Sequence, residues 1–530
     1  MSQRVGRDWI SVAFISLVGA GIRILTVAGA SFPLNDGGLF YAFTIDLIRS
    51  GLRLPPFSSY NAAGIPFVYP PLAFYLTAVL HLVTGLSALQ ILQFAPAIIS
   101  VVTVPAFFAF ALKVTRAPRQ AVLSTLVFCL MPRAFDWLIM GGGITRSLGL
   151  LFYLLFLFQV WRLFALGESR AMIPAVLTGG LAVLSHPEAA VHAAFAAALM
   201  LVWHRHTRAG LVHVLGLGMG IVILTAPWWL TVVTVHGTGP WLAGLAAAQQ
   251  DGHSLLLRLI ALVRFDFTDE PFLRIFGVLG LFGLFVQVAK REYFLATWLL
   301  LTAVAEPRGG TLFMMVPLSI VAGDFLDRVF LPAMVIQALP ATPDANAAPR
   351  AAPRAAFLTP AGGSLLVSFL FVYGAFAAYF VGHQLQQRAS LGDRDLAALK
   401  WIADHGDPRE DYALVTEGEP LLDPTSDWFP ALTGRRSVAS YFGSEWRGDL
   451  DFAHALLRYR ALQACANLQA QCLREWLLSS GEPVDSVYVR ASDSGGRTIL
   501  QESLMQDEDF RLIYSADGIQ IFDWRPSGGS

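Results

Sequence analysis

An acidic residue stands where the first long apolar segment of this chain ends. Residues 9–30 are mostly apolar and lead directly into Asn35 and Asp36. An apolar segment of about 20 residues can cross a bilayer, so we expect Asp36 at a membrane–water boundary. Partial loss of water makes a carboxylate a stronger base, and Asp36 is therefore a candidate for activating a hydroxyl group. Alternatively, Asp36 caps the helix predicted over residues 37–50, because Asp is a favoured N-cap residue.

Two arginines are predicted near the same boundary. Arg146 follows three consecutive glycines ahead of another apolar segment, and Arg308 lies in the short loop Glu306–Gly310. A guanidinium group can hold a phosphate through paired hydrogen bonds. Arg308 could instead pair with Glu306 or with a lipid headgroup. A carboxylate and two arginines would suit a reaction in which a hydroxyl group is activated and a phosphate is held.

The composition requires a membrane for most of the chain. Of the 530 residues, 55% are hydrophobic and only 14% are charged, whereas soluble proteins average about 25% charged. Counting apolar runs predicts eleven spans, near residues 9–30, 88–112, 119–136, 144–166, 171–186, 189–203, 210–233, 272–289, 293–305, 311–330 and 361–382. The fold class expected is thus an α-helical polytopic membrane protein.

The positions of Lys and Arg predict the orientation. They cluster before the first span and in every second loop, and such clusters normally face the cytoplasm. This places the N-terminus inside and the C-terminal part outside. Residues 69–86 are apolar enough to span, but a span there would turn the basic loops outward. We therefore expect a hydrophobic helix within a first external loop, residues 31–87, with an ordinary span as the alternative.

The C-terminal part differs in charge from the remainder. Residues 1–382 carry 23 basic and 15 acidic residues, whereas residues 383–530 carry 14 basic and 23 acidic ones. We predict a transmembrane domain over 1–337, an Ala/Pro-rich cytoplasmic linker over 338–360, a last span over 361–382, and a small soluble α/β domain over 383–530. In that domain Cys465 and Cys472 could form a disulfide if the chain turns between them, which an oxidising exterior permits.

The order of motifs resembles a known superfamily. An acidic residue after the first span, followed about thirty residues later by Val68-Tyr69-Pro70-Pro71-Leu72, resembles the GT-C superfamily of polytopic glycosyltransferases. These enzymes use sugars linked to polyprenyl phosphate. The resemblance implies two helices in the first external loop, over 37–50 and 69–86, and gives Asp36 the role of the base. Tyr41 and Tyr69 lie in or at the start of these helices and are counted with the substrate site.

Metal dependence is the point at which the sequence departs from one branch of that superfamily. Oligosaccharyltransferase catalytic subunits carry an Asp-x-Asp or Asp-x-Glu motif near the end of the second external loop, where this chain has Ile144-Thr145-Arg146. It is similar here to protein O-mannosyltransferases and aminoarabinose transferases. We predict no cofactor, and a divalent metal stays uncertain because Asp136 could be a lone ligand.

Further residues complete the expected site. Arg133, His186 and Glu188 stand at the outer ends of spans and are candidates for binding the donor, although a polar helix turn would also explain His186 and Glu188. Aromatic and charged loop residues are typical of recognition surfaces. An acceptor or partner surface is predicted at Trp428, Arg435, Glu445 and Trp446; packing against the membrane surface is the alternative, because Trp favours that interface.

These observations predict a glycosyltransferase that takes a sugar from a lipid carrier in the bilayer and moves it to an extracytoplasmic glycan, lipid or protein. A transporter or flippase for a lipid-linked glycan, and a non-catalytic membrane scaffold, are the alternatives. No basic patch suggests nucleic acid as a partner. The 34 Arg against 3 Lys point to GC-rich DNA, and so to the plasma (inner) membrane of a prokaryote.

Overall fold

The computed structural model describes residues 2–250, 260, 264–305, 310–333, 360–448, 452–491 and 497–526. Most of them are helical. The helices that precede the soluble domain are α1 (Ser2–Ala28), α2 (Gly38–Arg49), α3 (Leu72–Thr84), α4 (Ala88–Thr115), α5 (Pro118–Leu130), α6 (Gly143–Phe164), α7 (Met172–Ser185), α8 (Pro187–His204), α9 (Arg208–His236), α10 (Gly239–Gln250), α11 (Ile275–Ala289), α12 (Tyr293–Ala305), α13 (Gly310–Phe325) and α14 (Pro360–Arg388).

The chain is a multi-pass membrane protein. In the described part of the chain, α1, α4, α6, α9 and α14 contain stretches long and apolar enough to cross a bilayer. A sixth span results if α5 is joined to the segment Pro132–Leu138, which bends away from it by 88°. Each of the eleven predicted spans contains a helix, but several are short. The count of eleven therefore stays a prediction.

The loop predicted to be the first external one, residues 31–87, contains two helices, α2 and α3. With 13 residues, α3 is about 20 Å long, shorter than the roughly 30 Å hydrocarbon core of a bilayer. It buries Phe74 and Ala78, while Val83 on its outer side is 78% exposed. Its length favours the interpretation of residues 69–86 as a loop helix.

Arg23 connects three helices inside the bundle. Its side chain is buried and donates to Ser100 Oγ at 3.0 Å and to the carbonyl of Cys129 at 3.1 Å. Its guanidinium carbon also lies 4.4 Å from the centre of the Phe135 ring. These bonds satisfy the polar groups of a side chain that would otherwise be costly in an apolar interior.

The soluble domain contains one mixed sheet of five strands. Its strands are β1 (Asp411–Val415), β2 (Arg436–Ser437), β3 (Ser486–Arg490), β4 (Phe510–Ala516) and β5 (Ile519–Trp524), in the order β2-β1-β3-β5-β4. The pairs β1–β2 and β1–β3 are parallel, and β3–β5 and β4–β5 are antiparallel. Around the sheet pack α15 (Asp393–His405), α16 (Pro424–Thr433), α17 (Phe452–Gln463), α18 (Ala470–Ser479) and α19 (Ile499–Leu504).

This architecture agrees with the α/β domain predicted from the sequence. A disulfide joins Cys465 to Cys472, whose Cα atoms are 5.6 Å apart. A short 3₁₀ segment, Ala464–Asn467, ends one helix and lets the chain turn before the next. Residues 334–359, which include almost all of the predicted linker, lie outside the described residues.

Gly323 marks the closest approach of α13 to α5. A Cβ atom at this position would lie 2.7 Å from the backbone nitrogen of Ser124. We expect Gly323→Ala to destabilise the protein by about 1–3 kcal/mol, because the backbone cannot yield as a side chain would. Thermal unfolding in detergent measures this. The matched control is Gly218→Ala in α9, where nothing lies within 4 Å of the added atom; equal melting temperatures for the two variants would contradict the prediction.

Candidate functional site

The centre of the site is an ion pair between Asp36 and Arg146. Arg146 Nη1 donates to Asp36 Oδ2 at 3.0 Å, and Nη2 donates to Oδ1 at 2.8 Å and to Oδ2 at 2.6 Å. The side chain of Asp36 is 21% exposed and that of Arg146 is 15% exposed. Paired bonds of this kind are among the stronger hydrogen bonds in proteins. The structure thus brings together two residues that the sequence placed in different loops.

The glycines before α6 allow this approach. The Gly142 amide donates to the carbonyl oxygen of Asp36 at 2.7 Å. A Cβ on Gly142 would lie 2.6 Å from Asp36 Oδ2, so a larger residue would displace the carboxylate. Gly37 has a φ of +148°, which L-residues rarely adopt. The glycine run before Arg146 therefore approaches Asp36 closely through its backbone.

Several polar groups surround the pair. The hydroxyl oxygens of Tyr69 and Thr145 are 3.4 Å apart, and the Tyr69 ring centre is 6.2 Å from that of His186. The buried His186 Nδ1 has no hydrogen-bond partner among the described residues, since Glu188 Oε2 is 3.9 Å away. Tyr69, His186 and Glu188 were predicted for the site. Thr145 was not, although it is adjacent to Arg146.

Trp137 lies between two arginines. Arg146 Nε donates to its carbonyl oxygen at 3.1 Å, and the guanidinium carbon is 5.4 Å from the ring centre. Arg133 approaches the same ring at 5.9 Å, but it donates to Thr311 Oγ1 at 2.8 Å and to Asp269 Oδ2 at 3.2 Å. Arg133 therefore lies near the site while its charge is paired. Arg308 lies outside the described residues.

The soluble domain reaches the site through Asp427, which the sequence did not single out. Asp427 Oδ2 accepts hydrogen bonds from the backbone amides of Gly37 at 2.6 Å and Gly38 at 2.8 Å. Tyr60 donates its hydroxyl to the Asp427 carbonyl at 2.8 Å. Burial, and secondarily the negative charge of Asp36, raise the pKa of Asp427 to about 7. Because some 390 residues separate Asp427 from its amide partners, no local sequence signal could reveal this contact.

The residues predicted as an acceptor or partner surface have different environments. Trp428 is fully buried, and Arg435 is buried too, donating to the carbonyls of Thr433 and Gly406. Trp446 is half-buried, with its ring centre 5.8 Å from that of Tyr69. Trp446 thus contacts Tyr69, one of the polar residues of the site. Glu445 is half-buried beside it, and the ring of Tyr41 lies 6.1 Å from that of Trp428.

The described residues contain no cluster of three or more His, Cys, Asp or Glu side chains that could hold a metal. Asp36 is engaged by Arg146, and Asp136 Oδ1 accepts from the backbone amide of Trp137 at 2.7 Å. The side chains around the ion pair therefore do not fit a divalent cation, and no chemical step is assigned to one here.

The raised pKa of Asp427 predicts a pH-dependent stability. A carboxyl group whose pKa rises on folding, here from 3.8 to about 7, favours the folded state at acidic pH, and this contribution is lost as the pH rises through about 7. From about pH 5 to about pH 8, we expect the melting temperature of the wild type to fall relative to that of Asp427→Asn. The same pH dependence of the melting temperature in both proteins across this range would contradict the prediction.

Comparisons with known proteins place this geometry in context. A family model described as a 6-pyruvoyl-tetrahydropterin synthase related domain, membrane protein, matches residues 68–321. No curated protein is significantly similar to the chain in sequence.

Three solved structures illustrate the structural similarity. The structure of ArnT from Cupriavidus metallidurans bound to undecaprenyl phosphate is similar to this chain with a TM-score of 0.54 and 16% sequence identity, and the match covers 97% of each chain. The archaeal oligosaccharyltransferase AglB from Archaeoglobus fulgidus, in complex with an inhibitory peptide and a dolichol-phosphate, has a TM-score of 0.55 and 14% sequence identity, and the match covers 91% of this chain and 69% of AglB. The arabinofuranosyltransferase AftD from Mycobacteria has a TM-score of 0.54 and 15% sequence identity, and the match covers 97% of this chain but 40% of AftD.

Proposed function

We propose that this chain, which has the fold of the GT-C enzymes, is a membrane glycosyltransferase that moves a sugar from a polyprenyl-phosphate carrier to an extracytoplasmic acceptor. The observation that carries the proposal is the ion pair between Asp36, in the segment between the first membrane helix and α2, and Arg146 in α6. A base and a phosphate-binding cation are thereby adjacent at one place. The acceptor could be a glycan, lipid or protein of the cell envelope.

The proposed reaction assigns each partner of the pair one task. Asp36 removes the proton of the acceptor hydroxyl while that oxygen forms a bond to the anomeric carbon. The bond from the anomeric carbon to the phosphate oxygen breaks, and its electron pair leaves on the phosphate. Arg146 holds the phosphate as its negative charge grows, through the forked hydrogen bonds that a guanidinium group makes.

The existing ion pair suggests how the site responds to the donor. Arg146 directs three hydrogen bonds to the two carboxylate oxygens of Asp36. A phosphate would compete for the same N–H groups. Donor binding would therefore free an oxygen of Asp36 to accept the proton of the acceptor hydroxyl.

The remaining groups of the proposed site would position the substrates. Tyr69, His186 and Glu188 surround the pair, and the unpaired His186 Nδ1 offers a hydrogen bond to a bound sugar or phosphate. Arg308 would add positive charge near the donor, whereas Arg133, whose charge is paired with Asp269, would support the site through its contact with Trp137. Tyr41 would contribute indirectly through its contact with the soluble domain. Trp446, with Glu445 beside it, is the best placed of the acceptor-surface candidates.

The proposed topology follows the charge pattern. Eleven spans, a cytoplasmic N-terminus and an extracytoplasmic soluble domain would place Asp36 on the outer side of a prokaryotic plasma (inner) membrane. The orientation can be tested by cysteine accessibility. Labelling of a cysteine introduced at position 36 from the cytosolic side alone would contradict the proposal.

Substitution of the base is the first test of function. We expect Asp36→Asn to abolish transfer, because an amide cannot accept the proton. The readout is mass spectrometry of cell-envelope glycans from cells lacking the protein and complemented with each variant. Asp404→Asn is the control, because Asp404 is half-exposed and pairs with Lys400 on the surface of the soluble domain. Full transfer by folded Asp36→Asn would reject Asp36 as the base. Lipid translocation in purified vesicles without sugar transfer would favour the flippase.

Substitution of the cation tests donor binding separately. Arg146→Lys keeps the charge but loses the forked geometry, so we expect binding of undecaprenyl phosphate to weaken about 10- to 100-fold. Thermal-shift titration of the purified protein with that lipid measures the change. Arg511→Lys, at an exposed position on β4, is the control. Unchanged affinity of the Arg146 variant would show that Arg146 does not hold the phosphate.

A further inference from the structure

We propose that Asp427 and Trp428 of the soluble domain are positioning residues for Asp36, and that together they form a clamp on the backbone at both sides of it. The inference rests on the proposed function of Asp36. It gives the soluble domain a direct part in the reaction, although, among the described residues, neither clamp residue forms a hydrogen bond with the side chains of the ion pair.

The first half of the clamp lies immediately after Asp36. The Asp427 carboxylate accepts from the amides of Gly37 and Gly38 and, at 3.4 Å, from that of Leu39. These amides lie at the N-terminus of α2 and have no partner within the helix. A carboxylate there is favoured by the partial positive charge of the helix end. Asp427 therefore caps α2 from a distant part of the chain and fixes where this helix begins.

The second half of the clamp lies immediately before Asp36. The indole N–H of Trp428 donates to the carbonyl of Asn35 at 2.8 Å. Asn35 has a φ of +50°, an uncommon conformation for a non-glycine residue. Its amide side chain donates to the carbonyl of Leu421, also in the soluble domain, at 3.0 Å. The residues on either side of Asp36 are thus bonded to the soluble domain, while Asp36 itself faces Arg146.

The fit is also steric. A Cβ on Gly37 would lie 2.7 Å from the Trp428 ring, and one on Gly38 would collide with the backbone of Asp427. Phe32 packs edge-on against the Trp428 ring, with ring centres 4.7 Å apart. No space remains for the loop to shift toward the soluble domain.

The clamp is anchored firmly in its own domain. Asp423 caps α16, accepting from the amide of Ser426 at 3.2 Å. Its other oxygen accepts from the hydroxyls of Thr416 at 2.6 Å and Tyr459 at 2.7 Å. Thr416 directly follows strand β1. The position of Asp36 is therefore linked, through α16 and the buried Asp423, to the central sheet of the soluble domain.

This arrangement predicts an effect on turnover rather than on donor binding. Arg146, which is proposed to hold the phosphate, is in α6, and in the described part of the chain its guanidinium group donates to Asp36 and to the Trp137 carbonyl, not to Asp427. The base, in contrast, would lose its alignment, and a displacement of about 1 Å can cost on the order of 100-fold in rate. We therefore expect Asp427→Ala to lower kcat about 10- to 100-fold while KM for the lipid donor stays within about twofold.

Conservative variants should lower kcat less than Asp427→Ala does. Asp427→Asn keeps an oxygen that can accept from the two amides, so we expect a smaller fall in kcat. Trp428→Phe keeps an aromatic ring but removes the bond to Asn35, and we also expect an intermediate kcat. Asp404→Ala, at the exposed end of α15, serves as the control for substitutions in the same domain.

Hydrogen exchange provides a readout that does not depend on turnover. In the full-length protein in detergent, we expect Asp427→Ala to speed amide exchange in the peptide containing Gly37 and Gly38, with no change in α6. Faster exchange together with a lower kcat supports the clamp. Wild-type exchange or wild-type kcat in folded Asp427→Ala would overturn it, and if that variant does not fold, the same two measurements on Trp428→Phe decide.

The two proposals fail in different ways. Absence of sugar transfer by the wild-type protein would reject the proposed function as a whole. An active wild type, an inactive Asp36→Asn and a fully active Asp427→Ala would reject the clamp alone. An equal loss of donor binding and turnover in Asp427→Ala would also overturn it, since that pattern indicates general disruption of the site.

Discussion

The ion pair between Asp36 and Arg146 is the interaction on which the rest of the structure depends. Two charges withdrawn from water cost free energy unless their geometry is good and their remaining hydrogen-bonding groups are satisfied. Arg146 meets this condition through three bonds to Asp36 and one to the carbonyl of Trp137. The pair joins the segment between α1 and α2 to the start of α6, and so fixes these two parts of the chain on each other.

Close backbone packing makes the pair possible. Gly142 leaves room for the carboxylate, and its amide holds the Asp36 carbonyl in place. The first external loop has its own apolar core, in which Phe43, Phe67 and Phe74 pack together. A loop with such a core can present a charged side chain in a defined direction, as a catalytic or binding group requires.

The soluble domain completes the site rather than standing apart from it. Its helix α16 contacts the N-terminus of α2, and its strand β2 meets the first loop where the side chain of Asn61 exchanges two hydrogen bonds with the backbone of Ser437. These contacts are buried, so separating the domain from the loop would leave polar groups unsatisfied. Contacts from both the membrane part and the soluble part therefore determine the position of Asp36.

The sequence by itself determined the membrane character, the soluble α/β domain and the types of residue at the site. Hydropathy and charge are sums over many residues, so they can be evaluated without knowing which residues are in contact. Asp36 and Arg146 could be singled out separately because a charge at the end of an apolar segment is conspicuous. Their pairing across 110 residues could not be, and neither could the placement of Tyr69 and His186 beside them.

Only the tertiary structure decided the role of the soluble domain. Trp428 was predicted on a surface because aromatic residues in a polar stretch favour recognition, yet it is fully buried against the first loop. In the sequence, Asp427 looks like an ordinary acidic residue of a helix. Its structural role comes from hydrogen bonds to two backbone amides nearly 400 residues away. Helix capping and side-chain burial by distant segments depend on how the chain packs. Local sequence patterns do not contain that information.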